Sequence, residues 1–185
     1  MYHIKNDKRA QASSELICAG LLACMKEKPF ARITITDVQH ASTVSRSTFY
    51  RNFDCLEDVL ALLCDRGFQA VFTEYNALPA AQRGNLPKAV FHYWFHNSAV
   101  LEALVQIHRT DILFDSLRRS SGLIEALQPL ADDPARFDYF VAIITSAMIG
   151  VLTVWVEHGK TETEDQMVQK LTSAFIEMAI LELPG

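Results

Sequence analysis

Apolar residues near the start of the chain recur at helical spacing. Leu16/Ile17, Gly20/Leu21 and Cys24/Met25 stack at i, i+4, i+8, which predicts a helix over about 7–27, stopped by Pro29. Phe30, Ile33 and Ile35 anchor the turn that follows. Thr34-Ile35-Thr36-Asp37 is a capping-box pattern, in which the Thr34 hydroxyl accepts from the Asp37 amide. It predicts a short second helix to about Ala41. Ser42-Thr43-Val44 is a brief turn, and Ser45 is an N-cap for a third helix through Phe53. A fourth helix starts near Leu56 and runs through Val59, Leu62 and Leu63 to about Tyr75. Asn76 to Pro87 is the clearest loop. Helices are then predicted over 88–96, 98–108 and 111–128. Asp132-Asp133-Pro134 opens a long helix to about His158, with Pro134 in its first turn and Gly159 as its C-terminal cap. Thr163 opens a last helix ending near Leu183. There is no hairpin signal, no βαβ rhythm and no fixed-period repeat. The pattern predicts an all-α chain of about nine helices.

The long helix is apolar on two sides. One stripe holds Phe137, Phe140/Val141, Ile144, Met148, Val151 and Trp155; the other holds Ile143, Ala147, Gly150 and Val154. Tyr139 to Val156 carries no charge, which puts it at the lower edge of a membrane-spanning length. Its immediate flanks are Asp138 and Glu157, with no Lys or Arg directly beside it, so a helix covered on both sides by protein is the preferred reading and no membrane partner is expected. Ser146, Ala147 and Gly150 permit close helix approach. With Met167, Leu171, Phe175 and Met178 of the last helix, this predicts a homodimer joined as a four-helix bundle. The interface is expected at Ile143, Ala147, Gly150, Val154, Leu171, Phe175 and Met178. A core helix of a monomer is the competing explanation.

Composition narrows the class. Half of the 185 residues are hydrophobic and 21% are charged, which excludes a disordered chain. The net charge of −5 conceals a split. Residues 1–53 hold eight Lys/Arg against four acids, net +4, while the remainder holds nine against eighteen, net −9. A basic head on an acidic body suggests a segment that meets a polyanion. The four cysteines form no C-x-x-C pair, and no His stands at zinc-finger spacing from them. No apolar leader follows Met1, so a cytoplasmic location is expected.

Three short helices with a tight turn between the second and third fit a helix-turn-helix, in which the second helix braces the third while the third offers its outer face to a groove. Val44, Phe49 and Phe53 are placed inward. Arg46 suits bidentate contact with guanine, and Ser47 and Thr48 suit small polar or methyl contacts. Ser45 caps the same helix end. Tyr50, Arg51 and Asn52 are donors for phosphates. Thr34 and Thr36 stand at the second helix's N-terminus, where amides and hydroxyls meet another phosphate. Lys5, Lys8 and Arg9 form a mobile basic arm. The expected DNA contacts are Lys8, Thr34, Thr36, Ser45, Arg46, Ser47, Thr48, Tyr50, Arg51 and Asn52, and the partner is operator double-stranded DNA.

Residues 33–60, ITITDVQHASTVSRSTFYRNFDCLEDVL, resemble the DNA-binding segment of the TetR family of bacterial regulators. The agreement lies in the I-T-x-x-D-V start, the V-S-R-S-T-F-Y-R-x-F recognition helix, the E-D-x-L continuation and K-E-K-P-F at 26–30. It covers about residues 10–62. The resemblance implies a helix-turn-helix domain over 1–55 and a helical effector-binding and dimerisation domain over 56–185. It implies a sequence-specific transcriptional regulator, foremost a repressor, answering to a small-molecule effector. Two positions depart from the family's usual pattern. Thr43 stands where Gly is usual, at a point where a β-branched residue resists positive φ. Leu56 stands where a phosphate-contacting Lys is frequent.

The middle helices are rich in aromatics. A largely apolar effector pocket is expected around Phe68, Phe72, Phe91, Trp94, Phe95, His108, Phe114 and Met148, with core packing as the alternative. His92 and His96 are i, i+4 on one helical face, but the sequence places no carboxylate beside them, so no metal and no cofactor is expected. No G-x-S-x-G, P-loop, H-E-x-x-H, E-x-x-H or Gly-rich dinucleotide turn is present, which argues against an enzyme. A DNA-binding regulator or architectural protein without an effector is the remaining alternative.

Overall fold

The computed structural model describes residues 2–128 and 133–181. Ten α-helices and two short 3-10 turns account for its order, with no strand among the described residues. The helices are α1 (Lys8–Glu27), α2 (Ile35–Ser42), α3 (Arg46–Asn52), α4 (Leu56–Ala77), α5 (Leu86–His96), α6 (Ser98–Gln106), α7 (Thr110–Arg118), α8 (Ser121–Leu127), α9 (Pro134–Glu157) and α10 (Glu164–Leu181). Asp132 and the helix end expected near Leu183 lie outside the described residues.

The caps follow local chemistry. Asp7 accepts from the Ala10 amide at the start of α1, and Asn85 accepts from the Lys88 amide at the start of α5. Thr163 and Gln166 form a reciprocal box ahead of α10. Gly159, at φ 74°, ends α9 as expected, and the Lys160 amide reaches back to the Trp155 carbonyl at 2.8 Å.

The expected 98–108 and 111–128 helices differ from the structure in two ways. First, α6 stops at Gln106. His108 takes φ 56°, and the Arg109 amide closes on the Leu104 carbonyl at 2.8 Å. Second, the 111–128 segment is two helices. Arg119 and Ser120 interrupt it so that α8 can lie against α4. The Gly122 carbonyl accepts from the Asn76 amide group at 3.0 Å, and a Cβ on Gly122 would stand 2.3 Å from Phe72 Cβ. Only glycine permits that approach.

Helix α4 packs its first half on α1 and its second half on α5, α7 and α8. Helix α9 covers α5, α6 and α7, and α10 lies against α5 and α9. The core runs unbroken from Ile17, Leu21 and Val38 through Val59 and Leu60 to Phe68, Trp94, Leu113 and Met148.

The expected double covering of α9 is half met. Val141, Thr145, Met148, Leu152 and Trp155 are buried, whereas Ile143 and Val154 are 53% and 45% exposed. By length and composition, Arg136–Glu157 is apolar enough to cross a membrane, with mean hydropathy 2.1. Its burial against four other helices is that of a core helix with one open face.

Gly122→Ala should lower the unfolding free energy by about 1–3 kcal/mol, the usual penalty of overpacking, read as a lower urea midpoint. An unchanged midpoint would show that the contact with Phe72 does not hold α8 in place.

Candidate nucleic-acid interface

Helices α1, α2 and α3 form a compact head. The close crossing of α1 and α2 depends on Gly20, where a Cβ would meet Ser42 Cβ at 2.8 Å and the Val38 carbonyl oxygen at 3.1 Å. Val44, Phe49 and Phe53 are buried, as their spacing predicts. That core fixes the roll of α3 and turns Arg46, Ser47, Tyr50 and Arg51 outward, with Thr48 half-buried. The Ser45 hydroxyl caps α3 through the Thr48 amide at 3.3 Å. Arg46 lies over the Tyr50 ring at 5.6 Å, a loose cation–π contact, and its Nη2 donates to the Tyr50 hydroxyl at 3.5 Å. Arg51 donates to Thr48 Oγ1 at 3.2 Å.

The second helix is capped as expected. Thr34 Oγ1 accepts from the Asp37 amide at 3.2 Å and donates to Asp37 Oδ2 at 2.7 Å, and the Thr34 amide reaches the same oxygen at 2.7 Å. Lys28 Nζ sits 2.7 Å from that carboxylate. Lys28 first, then Thr34, hold the Asp37 carboxyl well below the usual carboxylate range. The Thr34 hydroxyl is therefore already engaged, while Thr36 is exposed.

Two expected contacts move. Asn52 is 1% exposed and donates to the Thr48 carbonyl at 2.9 Å, so it braces α3 from inside and does not reach a phosphate. The basic arm is docked, not mobile. The His3 amide donates to the Asn52 carbonyl at 3.0 Å, and the Tyr2 hydroxyl bonds Asp65. Burial, then Asp65, pushes the Tyr2 phenol up to about 12. Lys8 and Arg9 remain exposed on the first turn of α1.

Both departures from the family pattern have structural consequences. Thr43 adopts φ 57° and ψ 18°, the left-handed conformation that favours glycine. Its hydroxyl donates to the Ser42 carbonyl at 2.7 Å. Leu56 is buried in the core, so a phosphate contact there is exchanged for an apolar one.

The head is tied to the body through α4. Arg66 pairs with Glu15 at 2.7 Å and donates to Ser14 and Cys18 on α1. The adjacent Asp65 faces the other way and accepts from Tyr2, Ser116 and Arg119, the last at 3.1 Å. Burial pushes the Cys18 thiol up to about 11 and Cys64 further still, so neither is a reactive thiolate.

In the body, the aromatic cluster expected to line a pocket is mostly packed core. Phe68, Phe91, Trp94 and Met148 are at most 1% exposed. Phe95 stacks on Trp155 at 5.4 Å, Phe114 packs against the core, and His108 is an exposed helix terminator. Only Phe72 lines one of the larger cavities, a polar one of about 420 Å³ with Asp65, Ser116 and Arg119. The larger cavity, about 540 Å³ between α4, α5 and α10, is lined by Val71, Tyr75, Ala89, His92, Tyr93 and Glu164. Aromatic density marked buried volume; it carried no information about where the helices part.

Here the absence of a carboxylate beside His92 and His96 is corrected. Glu164 of α10 lies 3.0 Å from His92 Nδ1 and 3.9 Å from His96 Nδ1. The three could hold a metal ion. The sequence separates them by some seventy positions, so no spacing rule links them.

Of the expected dimer residues, Ile143, Gly150, Val154 and Met178 are exposed and Ala147 and Phe175 are half-buried. Leu171 is buried within its own chain and leaves the set. Ile176 and Ile180, at 57% and 60% exposed, extend the same open apolar surface and were not singled out by periodicity.

A helix-turn-helix head on an all-helical body is the build of a transcriptional regulator. Residues 88–177 match the TetR C-terminal family described as transcriptional regulator C-terminal region. Among solved structures, Lin0861 of Listeria innocua is similar over 95% of this chain and 96% of its own, at 18% identity and TM-score 0.73. A TetR-family transcriptional regulator of Syntrophomonas wolfei covers 94% and 97%, at 18% identity and TM-score 0.66. The dihydroxyacetone kinase operon activator DhaS covers 88% and 95%, at 14% identity and TM-score 0.59. No curated protein matches the sequence. The family match thus covers just under half of the chain, and the solved neighbours share the fold over nearly all of it.

Thr43→Gly should raise the unfolding free energy by about 0.5–1 kcal/mol, because relief of left-handed strain outweighs the added backbone entropy of the unfolded chain. Urea denaturation checks this through a higher midpoint at unchanged slope. A lower midpoint would show that the Thr43 hydroxyl contact offsets the strain.

Proposed function

We propose that this chain is a homodimeric, sequence-specific DNA-binding repressor, with residues 1–55 reading an operator and residues 56–185 forming the effector and dimer domain. The observation that carries the reading is α3: Phe49 and Phe53 are locked in the head core while Arg46, Ser47, Tyr50 and Arg51 face outward together. In this reading Arg46 reads a base edge, Ser47 and Thr48 approach a neighbouring base, and Tyr50, Arg51, Lys8 and Thr36 hold phosphates. The net +4 charge of residues 1–53 supports a polyanion partner.

The open face of α9 and α10 supports the dimer. Ile143, Val154, Ile176, Met178 and Ile180 are exposed there, a concentration of apolar surface that marks an interaction site. Gly150 adds a pointed observation: a Cβ there would meet nothing within 4 Å. Its small size serves nothing inside the chain, but it lets a second helix approach. A dimer also sets two α3 helices about 34–36 Å apart, or a multiple of that, on successive major grooves.

An effector acts only through its differential affinity for two dimer geometries. The cavity of about 540 Å³ between α4, α5 and α10 has the size of a small-ligand site, and it touches both α4 and the dimer helix α10. The sign of regulation is the second question. DhaS is an operon activator by name, and activation is the alternative to the repression proposed here.

Two expected outcomes test the reading. In fluorescence anisotropy against selected operator duplexes, Arg51→Ala should weaken binding on all sequences and flatten the salt dependence by about one unit, whereas Arg46→Ala should cost about 1–3 kcal/mol mainly on the preferred sequence. Equal loss on every sequence for Arg46→Ala would remove its base-reading role. Gly150→Phe should leave helix content intact yet shift the light-scattering mass from dimer to protomer. A dimer that survives this substitution places the interface elsewhere.

A further inference from the structure

The cavity between α4, α5 and α10 contains a donor set that DNA reading does not use. His92 and His96 stand one turn apart on α5, so both rings project from one side of the helix. Their centroids are 4.5 Å apart. Glu164, the first residue of α10, closes on them from across the cavity. Its carboxylate oxygens lie 3.0 and 3.1 Å from His92 Nδ1. One ligand atom from each of the three residues lies within 4.8 Å of the other two.

Donors bound to a tetrahedral zinc ion at about 2.0–2.1 Å stand about 3.3 Å apart. Closing this set around an ion therefore takes side-chain shifts of about 1–2 Å, within reach of rotamer adjustment. His96 Nδ1 lies 2.9 Å from the His92 carbonyl. An imidazole that donates from Nδ1 to a backbone carbonyl keeps the lone pair on Nε2, which is how metal-binding histidines are oriented. The neighbouring cation is already neutralised, since Lys88 Nζ sits 2.5 Å from Asp165. An ordinary ion pair would need only one imidazole. With each imidazole turned to present its free nitrogen, the three residues offer two lone pairs and one negative charge, the ligand set of a borderline-soft divalent ion and not of magnesium or calcium.

We propose that His92, His96 and Glu164 form a transition-metal site of the zinc class, with water completing the coordination, which clamps α5 to the first turn of α10. The exposed apolar face of α10 takes part in the dimer, so the clamp fixes the helix that the partner copy would meet. As an effector site it rests on the regulatory reading above; as a metal site it rests on its own geometry.

The test uses the full-length protein. Calorimetric titration with zinc chloride should show one equivalent per protomer. Cobalt(II) should give visible ligand-field bands of tetrahedral intensity without the near-ultraviolet charge-transfer band of a thiolate ligand. His92→Ala and His96→Ala should each weaken zinc binding by at least the roughly 10–100-fold that loss of an outer-shell partner costs, and Glu164→Gln should weaken it too, all with unchanged circular dichroism. No heat and no cobalt spectrum at micromolar concentrations would overturn the site. So would an undiminished equivalent in the His92→Ala/His96→Ala variant, or a thiolate band. Operator anisotropy with and without zinc is read separately: zinc binding that leaves operator affinity unchanged keeps the site and overturns its effector role.

Discussion

Everything in this molecule is referred to α4. Its 22 residues span about 33 Å and pass from the head into the body without a break. The first half buries Leu56, Val59 and Leu60 with the head, and the second buries Phe68 and Phe72 with the body. Halfway along, Asp65 and Arg66 point to opposite sides. Arg66 holds α1 through Glu15, Ser14 and Cys18, and Asp65 holds α7 through Ser116 and Arg119. Of these two partly buried charges on adjacent residues, Arg66 is satisfied by α1, and Asp65 by the body together with Tyr2 of the docked N-terminal segment. A rotation of α4 about its axis would strain both sets together.

The head shows how a small three-helix unit fixes one recognition surface. It has no room for a Cβ at Gly20, and its turn forces Thr43 into a left-handed backbone conformation. Such strain persists where surrounding structure over-determines the conformation. Here the Thr34–Asp37 box and the buried Val44 hold the two sides of the turn. The docked N-terminal segment adds a third brace, because the Asn52 carbonyl at the end of α3 accepts from His3. The outward set on α3 is thus presented from a rigid base.

The body follows a different logic. Its aromatic residues fill volume, and its functional features lie where helices part or stay uncovered. Trp94 Nε1 and Thr145 Oγ1 are buried without a hydrogen-bond partner, polar points inside an otherwise apolar core. The cavity that does open is rimmed by residues from three distant segments, and its charged members meet only because α10 folds back beside α5.

The sequence alone determined the features that depend on neighbours within a turn or two. Capping pairs such as Thr34–Asp37, the Ser45 cap, the Gly159 terminator and the inward Val44, Phe49 and Phe53 were legible because their partners lie within a few residues. The tertiary structure decided what depends on residues far apart in the chain. Asn52 turned inward because α3 needed a brace, the basic arm docked because Tyr2 found Asp65, and Leu171 was covered by its own chain. The 111–128 segment broke because Gly122 had to pass Phe72. Glu164 joined His92 and His96 only when α10 was laid across α5. Periodicity records which face of a helix is apolar; only packing decides which neighbour covers it and which polar groups are brought within bonding distance.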